Sequence, residues 1–328
     1  MTSQVPVAIE AGRAAPRTSL FRAQWFLLLV VMLVIAAFTG TINPRFFRTN
    51  NIVNIFEQIS TLGVVASGAT ILMISGNFDI SVGANIGMSA CVMAIMIKAG
   101  YGYVPSVAAG VLLATFNAFF VGACSILFKA PSFIISLACI GIFRGIALAF
   151  TKGVLQLIYG NFEFLGTKRF FNIIPLMFII SLAGYLIVHF ILKYTKIGRR
   201  AFAIGSNVQA TYLAGIPVNL NRLIFFIING LLVGTAATLL LSRIGAAQPS
   251  TGSGIELQAI GAVVIGGTPM TGGRGKVIGT FFGVLLTGII SNALNMLQVN
   301  PYFQDVAIGA LIIVSLAVSA FSQRGQRA

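Results

Sequence analysis

Charge is scarce in this 328-residue chain. Only 8% of its residues are charged, six of them acidic, and it has a single histidine and a single tryptophan. A soluble domain carries about 25% charged residues. With 57% of the residues hydrophobic, no core of this size could hide so much apolar surface from water, so the chain lies in lipid. The same scarcity excludes most catalysis. No Ser/His/Asp or Cys/His set can be assembled, and no cluster with metal-ligand spacing exists. The reading is therefore a non-enzyme with no metal and no cofactor. Cys91, Cys124 and Cys139 all sit in apolar runs without a C-x-x-C spacing; they read as small packing residues.

One glycine-rich basic stretch, "GGTPMTGGRGK" at 266–276, invites a phosphate-loop reading and fails it. Met270 stands where the first P-loop glycine belongs and Val277 where the hydroxyl residue belongs. The dinucleotide fingerprint fails as well, because Gly279 comes one residue late.

What the chain has in abundance is apolar runs near the length of about 20 residues that spans a bilayer as a helix. Ten are counted: 25–42, 52–75, 80–98, 103–128, 132–150, 172–192, 223–242, 255–269, 276–298 and 303–321. Lipid leaves backbone groups no outside partner, so the spans are helical; the period-2 alternation of a barrel is absent. The first run is longer than a signal-peptide core and lacks a small-x-small cleavage site, so it is kept as a helix. The expected fold is all-α and polytopic, with about ten transmembrane helices. Residues 1–24 form a cytoplasmic segment, 25–321 one transmembrane domain, and 322–328 a cytoplasmic tail.

The net charge of +15 points to membrane topology rather than to nucleic acid. With both termini inside, cytoplasmic segments hold 13 of the 21 Lys/Arg, outer segments seven, and Arg144 lies within a span. The expected place is a bacterial inner membrane.

The cytoplasmic loop 193–222 is too polar to span. Ala210, Leu213, Ala214 and Val218 fall near helical spacing, giving a short amphipathic helix that Gly215 or Pro217 could end. Such a helix either rests on headgroups or is gripped by a soluble partner. The chain also repeats itself faintly: "GATILMISGNFDISVG" (68–83) resembles "GAVVIGGTPMTGG" (261–273). Paired interruptions in two halves point to a transport site built from broken helices. The breaks are marked by Gly76, Asp79 and Gly83 in one half and by Gly266, Gly267, Gly272 and Gly273 in the other. At the second, Pro269 stops a helix and the glycines reverse the chain before a new span near Lys276.

The few charges inside or beside spans each have two readings. Asp79 couples an ion or caps the next helix by accepting the N–H of Ser81 or Val82, and the capping pattern favours the second. Glu256 completes a capping box with Ser253. Asp305 suits the N-terminal turn of the last helix. Arg144 either snorkels or lines a polar cavity. Glu57 and His189 are interfacial. Asn117, Asn292 and Asn295 need partners within apolar helices; neighbouring helices supply them, or a hydroxyl-rich solute passes by. Phe133 is a candidate for stacking against such a solute.

These residues carry a resemblance. "ISGNFDISVG" (74–83), "GRRAFAIGSNVQATYLAGIPV" (198–218), "AAQPSTGSGIELQAIGAVVIGGTPMTGGRGKVIGT" (246–280) and "NALNMLQVNPYFQ" (292–304) are similar, in order and spacing, to the permease subunits of bacterial ABC importers for ribose, xylose, arabinose and related monosaccharides. The resemblance runs nearly end to end. It implies a cytoplasmic ATP-binding-cassette ATPase as partner, docked on 198–218 with Gly198, Arg199, Gly205, Asn207, Ala210, Gly215 and Ile216 in the contact region. It also implies a periplasmic solute-binding protein, a second permease copy and a sugar substrate. Asn77-Phe78 departs from the smaller pair expected there, and the 151–171 loop is particular to this chain. The rival reading from the residues alone is a secondary transporter coupled through Asp79 or Glu57; a scaffold protein would not carry paired helix breaks, which are costly unless they line a cavity.

Overall fold

The computed structural model describes residues 24–300 together with 303, 306, 307, 309, 310 and 313. Most of the tenth apolar run, with Asp305, and the terminal basic residues Arg13, Arg17, Arg22, Arg324 and Arg327 lie outside the described residues.

The protein is a polytopic helical membrane protein. Its helices are α1 (Gln24–Ile42), α2 (Thr49–Ile74), α3 (Val82–Lys98), α4 (Tyr103–Leu127), α5 (Ser132–Thr151), the single turn α6 (Phe164–Thr167), α7 (Leu176–Tyr194), α8 (Lys196–Ser206), α9 (Val208–Leu213), α10 (Val218–Ile244), α11 (Ile255–Ile265) and α12 (Val277–Met296). Six of these, α2, α4, α5, α7, α10 and α12, are long and apolar enough to cross a membrane, and three shorter apolar helices accompany them. The shortest of them is α11. At about 1.5 Å per residue, the 11 residues of α11 reach about half of a 30 Å hydrocarbon core.

The connections gather at two ends. One end, here called the hairpin end, carries residues 43–48, 99–102, 152–175 and 245–250. There β1 (Gln156–Leu157) pairs antiparallel with β4 (Ala246–Ala247), and β2 (Arg169–Phe170) with β3 (Ile174–Pro175). Glu57 is buried at this end and pairs with Arg169 at 3.0 Å. The other end, the loop-helix end, carries 128–131, α8, α9 and 266–276.

The centre is held by close helix approach, since the hydrophobic effect does not drive helices together in lipid. The most extensive pairing is α4 with α10. A Cβ at Gly230 would lie 2.6 Å from the Thr115 Cα, and one at Gly234 would lie 2.7 Å from the Val111 Cα. Two glycines one turn apart thus let the α10 backbone sit directly on α4. At the next interface, Thr70 of α2 and Thr280 of α12 share a buried hydroxyl hydrogen bond of 2.8 Å.

Candidate functional site

Two non-helical segments enter the bundle. The first leaves α2 at Ile74 and reaches α3 at Val82. Its backbone needs partners, because an unpaired amide in an apolar medium costs several kcal/mol. Helix α5 supplies them: the Phe78 N–H donates to Ser132 Oγ (2.9 Å) and the Ile80 N–H to Ser136 Oγ (3.1 Å). Ser132 and Ser136 are four residues apart, hence on one face of α5. Asn77 turns its amide back onto Ser75.

Asp79 is buried in this segment. Its Oδ1 accepts the Ser81 N–H (2.9 Å) and the Ser81 hydroxyl, and its Oδ2 accepts the Asn229 amide of α10 (3.3 Å). The Ser81 N–H is one of the two donors expected from the sequence, but Ser81 itself is the N-cap of α3 and no side chain caps that helix, so Asp79 closes a turn ahead of the helix and does not cap it. The link to α10, across 150 residues of sequence, is an addition.

The second segment, 248–254, runs from β4 to α11 and lies on the first turns of α3. A Cβ at Gly83 would collide with the Glu256 carboxylate, and one at Gly87 would lie 2.6 Å from the Pro249 carbonyl oxygen. A Cβ at Gly252 would lie 2.8 Å from the Gly83 carbonyl oxygen. Segment 248–254 therefore lies against α3, and the N-terminal turns of α3 and α11 come together inside the bundle.

The capping box expected from Ser253 and Glu256 does not form. Gly254, with φ 87°, is the N-cap of α11, and no side chain caps it. That left-handed turn displaces Ser253 from the capping position. Its hydroxyl instead accepts a 2.7 Å hydrogen bond from Arg144 Nη2. Arg144 thus reaches across to the 248–254 segment; it does not simply extend toward an interface.

At the loop-helix end, the expected single amphipathic helix is two. Thr195 caps α8, accepting the Gly198 N–H, and Asn207 caps α9, accepting the Ala210 N–H at 2.9 Å. Gly198 is buried in the turn from α7, where a Cβ would meet the Leu192 carbonyl oxygen. Gly205 sits against the end of α2: a Cβ there would collide with the Ile74 carbonyl oxygen and lie 2.5 Å from the Gly273 nitrogen. Gly215 follows α9 with φ 77° and open space beyond its Cα, so it serves a turn and not a close approach. Arg199, Asn207 and Ala210 are exposed, and Ile216 is half-buried.

The glycine-rich stretch closes this end. Helix α11 stops at Ile265, four residues ahead of Pro269, with Gly266 as its C-cap. Gly267, Gly272 and Gly273 all take positive φ, as does Gly76 in the first break. The Gly273 N–H donates to the Ile74 carbonyl (2.8 Å), so the two segments that resemble each other in sequence are bonded to each other.

The asparagines lie elsewhere. Asn117 donates to Asn85 Oδ1 (2.9 Å), and Asn292 exchanges two 2.9 Å hydrogen bonds with Asn51. Both are buried links between helices. Asn295 and Phe133 are exposed, Phe133 at 48%. Sequence reading missed Ser132, Ser136 and Asn229. The one signal for the serines was their four-residue spacing at the start of an otherwise apolar helix. Among the described residues no group of His, Cys, Asp and Glu could hold a metal.

A family model described as "Branched-chain amino acid transport system / permease component" matches residues 51–316. A ribose import permease of Bacillus subtilis is 35% identical, over 89% of this chain and 90% of the relative. A D-allose transport system permease of Escherichia coli is 34% identical, over 95% and 96%. An L-arabinose transport system permease of the same species is 32% identical, over 97% and 98%. No solved structure matches the chain.

Proposed function

The chain belongs to the family of transport-system permease components, and from that membership we propose that it passes a monosaccharide or polyol inward through a bacterial inner membrane. It is the transport subunit of an ABC importer, and ATP is hydrolysed on a separate chain. The relatives named for ribose, allose and arabinose support a sugar over the amino acids of the family description.

The observation that carries the reading is the surface made by α8 and α9. These helices lie off the bundle's end, yet Gly205 presses on the backbone of α2 where the first break begins. Helix α9 turns Tyr212 and Leu213 outward, 64% and 75% exposed. A short helix with apolar side chains beyond the spans, seated on the end of an interrupted segment, suits a cytoplasmic ATPase that must move the spans. The hairpin end then faces the periplasm and its solute-binding protein. Gly198, Arg199, Gly205, Asn207, Ala210, Gly215 and Ile216 belong to the ATPase face. Phe133, on the open side of α5, and Asn295 border the pathway, while Asn117 and Asn292 hold the helices beside it. A second permease copy covers the open side of α5.

Orientation is tested by single cysteines. An impermeant maleimide should label Gly160→Cys in intact cells and Ser206→Cys only after the inner membrane is breached. The reverse pattern overturns the reading.

Asp79 distinguishes turn closure from ion coupling. Asparagine closes the same local side-chain-to-backbone turn as aspartate and keeps an acceptor for the Ser81 N–H. Asp79→Asn should therefore retain uptake to within about twofold, whereas Asp79→Leu loses all three bonds and should fail. Sugar uptake at matched amounts of inserted protein decides this. A well-inserted, inactive Asp79→Asn would favour ion coupling.

A further inference from the structure

We propose that the cavity between α4 and the 152–175 loop holds one acyl chain of a membrane phospholipid, and that Lys168 meets the lipid's phosphate at its rim. The proposal needs only the chain's place in lipid and nothing about the transported solute.

The cavity measures about 840 Å³, inside the range of about 300–1,000 Å³ typical of sites that enclose a small ligand. Val104, Val107, Ala108 and Val111 of α4 form one wall, residues 160–165 another, and Thr238 of α10 completes it. The loop that overhangs it is braced. Phe162 is buried, and its ring lies 5.5 Å from that of Tyr103 between centroids. The Gly166 N–H donates to Ser242 Oγ (3.1 Å), and a Cβ at Gly166 would lie 2.7 Å from the Ser242 carbonyl oxygen, so α6 is seated on the last turn of α10. Glu163, the acid in the wall, turns Oε1 onto the loop's own Gly160 N–H (2.9 Å).

Two observations choose the occupant. The first is continuity with the lipid-facing surface. Val104, Ala108, Leu112 and Phe116 follow one another at four-residue spacing, so they share one face of α4. All four are exposed, Val104, Leu112 and Phe116 at 81%, 67% and 61%. Val104 and Ala108 of this stripe line the cavity. Val111 stands eight residues inside α4 from Tyr103, about 12 Å at helical rise. The cavity thus runs from headgroup depth into hydrocarbon, and a chain lying along Phe116 and Leu112 enters it without leaving apolar surroundings.

The second observation is charge. Moving an acyl chain from lipid to an apolar wall yields no hydrophobic gain, so a fixed lipid needs a hold on its headgroup. The Lys168 Nζ lies 4.7 Å from the centroid of the Phe164 ring, and Phe164 lines the cavity. Lys168 is exposed, and among the described residues the ion pairs are those of Glu57 with Arg169 and Arg243. An ammonium without a carboxylate, placed where an apolar cavity reaches headgroup depth, suits a phosphodiester oxygen.

The test places the whole chain in vesicles of phosphatidylethanolamine and phosphatidylglycerol. Part of the phosphatidylethanolamine carries a photoreactive diazirine in one acyl chain. After illumination, label should be found on Phe162 or Thr238, both buried, as well as on the exposed Leu112 and Phe116. Label confined to Leu112 and Phe116 would mean that lipid passes the cavity by, and would overturn the proposal. Ala108→Trp fills the cavity from an exposed position on α4. It should cut labelling of Phe162 and Thr238 about tenfold, the scale of an overpacked site, and leave Leu112 and Phe116 marked. Unchanged labelling of the two buried residues in this variant also overturns it. Lys168→Gln should lower labelling inside the cavity about threefold relative to the stripe, the scale of one exposed ion pair, and Lys168→Arg should restore it. Equal labelling by wild type and Lys168→Gln removes the phosphate contact and defeats the phospholipid assignment. The rival occupant is a second copy of this chain: a photoreactive residue in place of Val104 that captures another protomer and no lipid would make the groove an interface between copies and sink the proposal.

Discussion

Replacing Gly205 by valine should lower sugar uptake about tenfold or more while leaving the chain inserted in the membrane. A Cβ at this position runs into the Ile74 carbonyl oxygen, and the Gly273 nitrogen that donates to the same carbonyl lies 2.5 Å away. Neither neighbour is a flexible side chain that could swing aside. Helix α8 must therefore lift from the end of α2. Coupling between distant sites commonly amounts to about 1–3 kcal/mol, so losing this contact should lower ATP-driven uptake by about tenfold or more. Insertion is set by the apolar length of the spans, which the substitution leaves unchanged, so inserted protein should stay near the wild-type level. Gly215→Ala is the contrast. Its Cβ meets nothing within 4 Å, so only the left-handed backbone resists, at about 1 kcal/mol. Uptake in vesicles and co-purification of the ATPase report both variants. Normal uptake by Gly205→Val would detach α8 from the transport cycle.

The second large effect lies in α5. Ser132→Ala/Ser136→Ala removes the acceptors of the Phe78 and Ile80 N–H groups. An unsatisfied buried donor costs about 1–3 kcal/mol, so the pair approaches the lower end of a domain's whole stability of about 5–15 kcal/mol. The double variant should unfold at a clearly lower temperature in detergent and accumulate poorly. Ser106→Ala is the control. The Ser106 hydroxyl only donates to Gly102 in its own helix, so its loss strands no backbone donor. Equal melting of all three proteins would show that water, and not α5, completes the first break.

The helical class of the fold was legible from composition and run length, because lipid permits few alternatives. The break at Asp79 was legible too: an acidic residue three positions before a helix start at Val82 is a local signal, and the bond to Ser81 is local, although the N-cap is Ser81 and not Asp79. The capping box was not. Ser253 and Glu256 have the right spacing, but Gly254 between them takes a left-handed turn, and pattern alone cannot see the turn. Nor could the sequence tell Asn117 and Asn292 from pathway residues. Their partners, Asn85 and Asn51, stand 32 and 241 positions away, and only the assembled bundle sets them face to face. Arg144 was the opposite case: the sequence marked it as out of place in a span, and the structure supplied the reason in Ser253.

Helix α5 behaves as a shared spindle. Ser132 and Ser136 latch the first non-helical segment, and Arg144, two helical steps further along, latches the second. A helix that turns by one residue, about 100°, withdraws all three side chains in a single movement. The two segments are in this sense geared together: neither can be unlatched by rotation of α5 while the other stays held.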